Sequence, residues 1–250
     1  MVTIREYKKS ESLEEAWELN QKKSNRILGG MLWLRQGNNV IQTAIDLSGL
    51  GLDTIEETDK EFRIGCMVSL RELEQHAGLT KYTGGAMREA LRHIVGVQFR
   101  NLATVGGSIF GRFGFSDVLT MFLTMDSYVE LYKGGIVSLE EFAKSKPDND
   151  ILVRLIVKKE QVHFAYQSVR NTQTDFPVLT CGAAKLADGS YRFAIGARPG
   201  RAVLFHGIPE NLVTGTNLRG SAEYRKHLAD VLVKRTTKLL DEANMTGEER

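Results

Sequence analysis

Two glycine pairs, each preceded by a short apolar stretch, constrain this chain more than any other feature of its sequence. Gly29-Gly30 follows Ile27-Leu28, and Gly106-Gly107 lies within a run of small residues over 103–109. Glycine lets a backbone turn tightly and expose its N–H groups to a large anion. Two such turns predict a phosphate-bearing cofactor between two lobes, although each pair taken alone also fits an ordinary turn. Neither pair forms a G-x-G-x-x-G or Walker motif.

The residues around the second pair indicate how the anion would be bound. The amides from Val105 to Ser108 are expected to point at one diphosphate, and the hydroxyls of Thr104 and Ser108 add neutral donors. Asp117 has the same sign of charge as a phosphate, which would repel it. Its carboxylate instead suits a sugar or ribityl hydroxyl, from which it would accept a hydrogen bond.

Composition argues against several classes of protein. The chain has 250 residues and a net charge of +2, from 33 basic and 31 acidic residues, which gives no electrostatic case for nucleic acid. Its two cysteines, Cys66 and Cys181, are too few for a disulfide framework, and no spacing typical of metal ligands occurs. The charged N-terminus predicts no signal peptide, and the apolar runs are too short to span a membrane, which together predict a cytoplasmic protein.

Helix-start signals and hydrophobic periodicity predict alternating elements over the first 150 residues. Capping-box patterns at Ser12, Ser69 and Ser138 predict three helix starts, and the first helix is expected to run to about Lys23. Strands are predicted over 26–28, 40–47, 61–68 and 127–132, and further helices over 84–94 and 118–125.

The pattern changes after 144–150, a polar stretch whose composition predicts a linker. Four strands are predicted beyond it, over 151–158, 162–169, 178–186 and 191–197. An amphipathic helix is predicted from about Ser221, with Arg225 off its apolar face. That face is expected to consist of Tyr224, Leu228, Val231, Leu232 and Leu239.

Several segments also match one family pattern in order and spacing. They are the run from Leu28 to Trp33, Ile45-Asp46-Leu47-Ser48, Arg63-Ile64-Gly65-Cys66, the run from Gln98 to Ile109, Ser116-Asp117, Arg170 with Asp175-Phe176, and the run from Leu218 to Arg225. Together these segments extend over almost the whole chain. The sequence therefore resembles the FAD-binding medium subunits of the molybdenum hydroxylases, which include those of xanthine dehydrogenase and carbon monoxide dehydrogenase.

The resemblance implies a fold of the α/β and α+β classes. A two-lobed FAD-binding domain of the vanillyl-alcohol-oxidase (PCMH) type is expected over 1–160, with subdomains over about 1–53 and 54–160. A small C-terminal domain over 161–250 is expected to combine an antiparallel sheet with a helix, as in the carbon monoxide dehydrogenase flavoprotein.

The resemblance also implies a set of FAD-binding residues. The runs from Leu28 to Leu32 and from Thr104 to Ser108 match the family's pyrophosphate segments, and Asp117 matches a residue that binds ribityl or ribose hydroxyls. Ile94 and Leu152 match positions that contact the flavin or the adenine, and Tyr166 lies where many members have a lysine near the cofactor. The full implied set is Ile27, Leu28, Gly29, Gly30, Met31, Leu32, Trp33, Ile94, Thr104, Val105, Gly106, Gly107, Ser108, Asp117, Leu152 and Tyr166. No catalytic residue and no metal ligand are implied.

The implied function is that of an oxidoreductase subunit that is active only with its partners. Electrons would pass from a molybdenum-cofactor large subunit, through a [2Fe-2S] small subunit, to FAD on this chain and then to NAD or another acceptor. Met31-Leu32 replaces the family's Thr-Asp, and Ser108 replaces its Asn. Two alternatives therefore stay open: a non-catalytic flavoprotein-like assembly module with weak or lost FAD binding, and a free-standing FAD reductase.

Overall fold

Three β-sheets with helices packed against them make up the architecture. The computed structural model describes residues 1–247, so residues 248–250 of the predicted C-terminal domain lie outside the described part. One sheet is parallel and two are antiparallel, which confirms the predicted mixed fold class. Among the described helices, none combines the length and the apolar character needed to cross a membrane. The proposed division of the chain at 160/161 stays a prediction.

One strand of the first sheet ends at the first glycine pair. It is parallel, and its strands are β1 (Thr3–Lys9), β2 (Arg26–Leu28) and β3 (Val40–Asp46), with β3 in the middle. Helix α1 (Leu13–Asn20) connects β1 to β2 and starts as predicted, because the Ser12 hydroxyl accepts the Glu15 amide at 3.1 Å. Strand β1 was not predicted, because most of its side chains are exposed and leave no alternating apolar pattern.

The second sheet is antiparallel and has five strands. They are β4 (Ile55–Glu57), β5 (Glu61–Gly65), β6 (Asp126–Leu131), β7 (Gly135–Ser138) and β8 (Leu152–Lys158), in the spatial order β4-β5-β8-β6-β7. Because β8 is the central strand, the stretch over 144–150 is not a linker between units. It is the connection that returns the chain to the middle of this sheet.

Short helices fill the connections around the second sheet. They are α2 (Leu70–Gln75), α3 (Ala77–Tyr82), α4 (Ala86–Leu91), α5 (Val97–Leu102), α6 (Val105–Phe110), α7 (Asp117–Leu123) and α8 (Leu139–Lys144). Ser69 and Ser138 cap α2 and α8 as predicted. The helix predicted over 84–94 is shorter, because Gly84 and Gly85 have positive φ angles and allow helix only from Ala86 onward.

The third sheet is covered on one face by the last helix. Its strands are β9 (Val162–Arg170), β10 (Pro177–Leu186), β11 (Tyr191–Gly196) and β12 (Val203–His206), in the spatial order β12-β11-β10-β9. Helix α9 (Ala222–Gly247) packs on β9 and β10, and α7 packs against β10 from the N-terminal part of the chain. The short strand β12 was not predicted, because its four residues carry no turn or alternation signal of their own.

The buried face of α9 differs from the predicted one. Leu228 and Leu232 are buried as expected, but Tyr224 and Leu239 are 46% and 44% exposed. Arg225, expected off the face, is completely buried. Its guanidinium donates to the carbonyls of Val178 (2.9 Å), Gly215 (2.7 Å) and Gly220 (2.5 Å), and to Asn217 Oδ1 (2.6 Å). These acceptors compensate its desolvation, so a buried arginine ties the 215–220 connection to β10.

Replacement of Arg225 by methionine is expected to lower the free energy of unfolding by about 3 kcal/mol, because it leaves several buried carbonyl oxygens without donors. Arg235→Met, at an exposed position of the same helix, is the matched control and is expected to change it by less than about 0.5 kcal/mol. Urea unfolding measures both. Equal effects of the two substitutions would contradict the structural role given to Arg225.

Candidate functional site

The two glycine pairs lie against each other. A side-chain carbon at Gly30 would lie 1.9 Å from the Leu102 carbonyl oxygen, and one at Gly29 would lie 2.8 Å from Thr104 Oγ1. Both distances are too short for a real side chain. Glycine is therefore needed here for close approach of two backbone segments, and the segments predicted to share one ligand do meet.

The first segment leaves a row of amide donors free. In the part of the chain that the structure describes, the backbone N–H groups of Gly29, Gly30, Met31 and Leu32 donate to no protein acceptor. Met31 has a φ of +58°, a left-handed conformation that curls the row. Successive amides in a curled backbone form a concave site for an anion, as the sequence predicts.

The side chains of the same segment serve as anchors. Met31 packs against a small cluster that contains Leu28, Ile41 and Ala44, and Leu32 is buried in the main hydrophobic core. The packing of both side chains, with Leu32 buried and Met31 half-buried, fixes the segment while its backbone stays available. The replacement of the family's Thr-Asp by Met-Leu thus removes polar side chains but leaves the amides in place.

The second segment does not supply the row of amides that was expected. Gly106-Gly107 lies in the first turn of α6, which Thr104 caps by accepting the Gly107 amide at 3.1 Å. The Val105 amide donates to the Val68 carbonyl (2.9 Å) and the Gly106 amide to that of Cys66 (2.8 Å). The Ser108 amide donates to the Thr104 carbonyl. The prediction that four amides of this segment face one diphosphate is therefore wrong, because α6 and its contact with the 66–68 backbone use them.

Two cavities meet at the glycine pairs and form one cleft. An aromatic lobe of about 430 Å³ and a polar lobe of about 460 Å³ share Ile27, Gly29, Thr104 and Gly107 in their walls. Each volume lies within the range of about 300–1,000 Å³ that is usual for small-molecule sites. Of the predicted FAD-binding set, Val105 and Tyr166 line neither lobe; the others line one or both.

Aromatic side chains from three segments form one wall of the aromatic lobe and give the lobe its name. Trp33 follows the first glycine pair, Phe113 and Phe115 lie between α6 and α7, and Phe176 precedes β10. Trp33 stacks on Phe176 with ring centroids 5.4 Å apart, and Phe115 meets the edge of Phe176 at 4.6 Å. Phe113, Phe115 and Phe176 were not among the predicted site residues, although the 110–115 sequence contains three phenylalanines and two glycines.

Asp117 joins this lobe to the third sheet. Its Oδ1 accepts hydrogen bonds from the Tyr166 hydroxyl (2.7 Å) and from the Arg170 guanidinium (2.5 Å). Burial raises the pKa of the Asp117 carboxyl, and Arg170 offsets only part of that rise. Burial and the neighbouring Asp117 also raise the pKa of Tyr166 well above 10, so its hydroxyl stays protonated and donates. The binding of a ribityl hydroxyl by Asp117 stays a prediction, with one carboxylate oxygen already used.

The remaining predicted contacts lie on opposite sides of the cleft. Ile94 lines the aromatic lobe, together with Val95, while Leu152 lines the polar lobe with Lys23 and Arg26. Ile94 and Leu152 thus contact different parts of any ligand that fills both lobes. Val95 has a φ of +49°, which for a β-branched residue costs about 1–2 kcal/mol.

The described residues offer this cleft neither a cluster of metal ligands nor a thiol with a lowered pKa. Within residues 1–247, no group of three or more histidine, cysteine or acidic side chains is arranged to bind a metal ion. Cys66 lies under Gly106, and burial raises the pKa of its thiol to about 12. Cys181 is also buried, in the third sheet, and its thiol pKa is likewise raised to about 12 by burial. Neither thiol is therefore a reactive nucleophile at neutral pH.

Gly30→Ala is expected to force the two glycine segments apart, because its new carbon would lie 1.9 Å from a backbone oxygen. We expect a loss of about 1–3 kcal/mol in the free energy of unfolding. Gly37→Ala is the matched control: Gly37 has a φ of −79°, and its new carbon would meet no atom closer than 3.5 Å. Thermal and urea unfolding compare the two, and a Gly30→Ala protein as stable as Gly37→Ala would contradict the close approach.

Comparison with known proteins identifies the family of this chain. The family model of the FAD binding domain in molybdopterin dehydrogenase matches residues 3–162. The Escherichia coli K12 protein YgfM, described as uncharacterized, is 25% identical over 268 residues, which cover 98% of this chain and 99% of YgfM. This family match confirms the predicted resemblance and its cofactor, FAD.

Solved structures show the same fold at low sequence identity. Quinoline 2-oxidoreductase from Pseudomonas putida 86 matches with a TM-score of 0.84 at 18% identity, over 96% of this chain and 98% of that chain. Carbon monoxide dehydrogenase from Hydrogenophaga pseudoflava matches with a TM-score of 0.81 at 20% identity, over 94% and 96%. With its fold shared with these enzymes and more than half of its length matched by the family model, the chain belongs to the family of FAD-binding domains of molybdopterin dehydrogenases.

Proposed function

We propose that this chain binds FAD across both lobes of the cleft and serves as the electron-transfer subunit of a molybdenum hydroxylase related to xanthine dehydrogenase. The observation that carries the proposal is the row of unused amides from Gly29 to Leu32 at the junction of the lobes. A dinucleotide has its pyrophosphate between two ring systems, and this cleft has its anion site between two cavities. The residues present therefore fit the cofactor.

The amides would bind the pyrophosphate without help from charged side chains of the same segment. Backbone N–H groups are fixed donors that lose no side-chain entropy on binding. The Thr104 hydroxyl accepts the Gly107 amide and keeps its own hydrogen for a phosphate oxygen. Lys23 and Arg26 line the adjoining polar lobe together with Asp148 and Asp150, so their charges balance and the attraction for the anion rests on the amides.

We assign the isoalloxazine to the aromatic lobe and the adenine to the polar lobe. The aromatic lobe offers stacking surfaces from Trp33, Phe115 and Phe176, which suit the larger of the two ring systems. The polar lobe carries Asn20 and the 148–150 backbone, which suit the hydrogen-bonding edge of adenine. When bound, the flavin supplies the redox chemistry, while this chain supplies its position and keeps water from its faces.

The proposed function also requires partner subunits. The solved relatives include a Cu,Mo-containing carbon monoxide dehydrogenase, and this chain covers nearly all of the relatives' matching chains. By analogy, a molybdenum-cofactor large subunit and a [2Fe-2S] small subunit would supply electrons, and NAD or another acceptor would receive them. Two buried, unpaired cysteines are consistent with the reducing cytoplasm as the location.

A second candidate function is a non-catalytic assembly module with weak FAD binding. It is favoured by one observation: Met31 and Leu32 direct their side chains into hydrophobic clusters, so the first segment offers a ligand no polar side chain at these two positions. The two candidates differ in one property, the retention of FAD. A visible spectrum of natively purified protein, followed by identification of the released flavin, separates them. Protein that lacks flavin and cannot be reconstituted with FAD would overturn the first candidate.

Trp33→Ala is expected to raise the Kd for FAD about tenfold, because it removes a stacking surface of the aromatic lobe. Trp33 is 47% exposed, so the loss of stability should be small. Tyr224→Ala is the matched control, since Tyr224 is 46% exposed and lines neither lobe. Flavin fluorescence titration of the apoproteins measures each Kd. An unchanged Kd for Trp33→Ala would contradict the placement of a ring system beside Trp33.

A further inference from the structure

A buried ion pair lies behind the aromatic lobe and has no role in the site described above. Arg100 on α5 donates from Nε to Glu74 Oε2 on α2 at 2.9 Å, and a second nitrogen approaches Glu74 Oε1 at 3.5 Å. Both residues are 5% exposed, and neither lines the cleft. Arg71 donates to the same Oε2 at 2.8 Å. Although burial alone would raise it, the two arginines hold the Glu74 pKa below its usual value, and the pair stays ionised.

The remaining donor of Arg100 reaches the wall of the cleft. Its Nη1 donates to the Ile94 carbonyl at 3.0 Å. Ile94 and Val95 form the corner between α4 and α5, and both line the aromatic lobe. Arg100 thus connects the buried Glu74 carboxylate to a corner whose two side chains line the cleft.

The corner needs such a connection because its backbone is strained. Val95 has a φ of +49°, a region that β-branched residues avoid, and its side chain is 45% exposed, so core packing contributes little to keeping it there. Strained residues persist only where their surroundings over-determine them, and they concentrate at ligand sites. Within the described residues, the Val95 amide and carbonyl make no hydrogen bond to another protein group. Three contacts hold its neighbours instead: the Ile94 amide donates to the Leu91 carbonyl (2.9 Å), the Gly96 carbonyl accepts the Arg100 amide (3.1 Å), and the Arg100 side chain binds the Ile94 carbonyl. The last of these is the one that connects the corner to the buried ion pair.

We propose that the Arg100–Glu74 pair is a positioning device for the cofactor, which holds the Ile94–Val95 corner against the ring system in the aromatic lobe. The inference rests on the proposed function, because it needs FAD in the cleft. It gives a role to Arg100, which belongs to the segment from Gln98 to Ile109 and does not itself line the cleft but binds the carbonyl of Ile94, which does. Arg100 and Glu74 act through the corner and are not catalytic residues.

Arg100→Lys tests the inference, because lysine keeps the charge opposite Glu74 but lacks the planar fork that reaches Ile94 at the same time. We expect the Kd for FAD to rise about tenfold, with a shift in the visible band of the bound flavin. Arg192→Lys is the matched control: Arg192 is also ion-paired with a glutamate, Glu160, but neither residue lines a lobe. It is expected to lower the melting temperature while leaving the Kd and the flavin band unchanged.

A second substitution separates positioning from general stability. Asparagine tolerates the left-handed conformation, so Val95→Asn relieves the strain that the tether opposes. In the Val95→Asn background, Arg100→Lys is expected to change the Kd by less than about twofold. A tenfold change in both backgrounds, or none in either, would overturn the inference. If Arg100→Lys does not fold, Glu74→Gln is the milder variant. It is expected to shift the flavin band in the direction expected for Arg100→Lys. An unshifted band in Glu74→Gln would also count against the inference.

Wild-type protein distinguishes failure of this inference from failure of the proposed function. If the wild type binds FAD and the variants match it in Kd and flavin band, the positioning role is wrong and the proposed function stands. If the wild type binds no FAD, the proposed function fails, and the positioning role fails with it.

Discussion

The close approach of the Gly30 backbone to the Leu102 carbonyl is the constraint on which the rest of the cleft depends. One segment ends a strand of the parallel sheet, and the other connects α5 to α6 beside the five-stranded sheet. Any side chain at Gly30 would push the two segments apart. The two lobes, which share Gly29 and Thr104 in their walls, would then no longer meet. The glycines therefore determine where two independent parts of the fold meet, and the anion site follows from that meeting.

Around this junction, apolar side chains hold the first segment in place, and a charged pair connects the cleft to the third sheet. Met31 and Leu32 anchor the first segment in two hydrophobic clusters, so its amides are fixed without using them in secondary structure. The Asp117–Arg170 pair connects the aromatic lobe to the third sheet, since Arg170 is the last residue of β9 and Asp117 is the first residue of α7. This contact sets the position of α7 relative to β9 beside the aromatic lobe.

The sequence predicted the cleft better than the details of its walls. The first glycine pair follows its strand and the three capped helices begin where the pattern predicts, because these signals are local. The second pair, predicted as a turn, lies at the start of helix α6. The amides of Val105 and Gly106 and the burial of Arg225 depend on distant backbone acceptors, which no local pattern records. The aromatic wall was missed for the same reason: Trp33 and Phe176 are far apart in sequence and meet only through the fold. The exposed strand β1 lacks the periodicity by which a strand is recognised.

Amide hydrogen exchange with and without FAD tests whether the Gly29–Leu32 segment binds the pyrophosphate, because it reports on individual backbone donors. We expect FAD to slow exchange of the amides from Gly29 to Leu32, which donate to no protein acceptor within the described residues. The amides of Val105 and Gly106 already donate to protein carbonyls and should change little. Protein that binds FAD while exchange at Gly29 to Leu32 stays unchanged would contradict the assignment of the pyrophosphate to this segment.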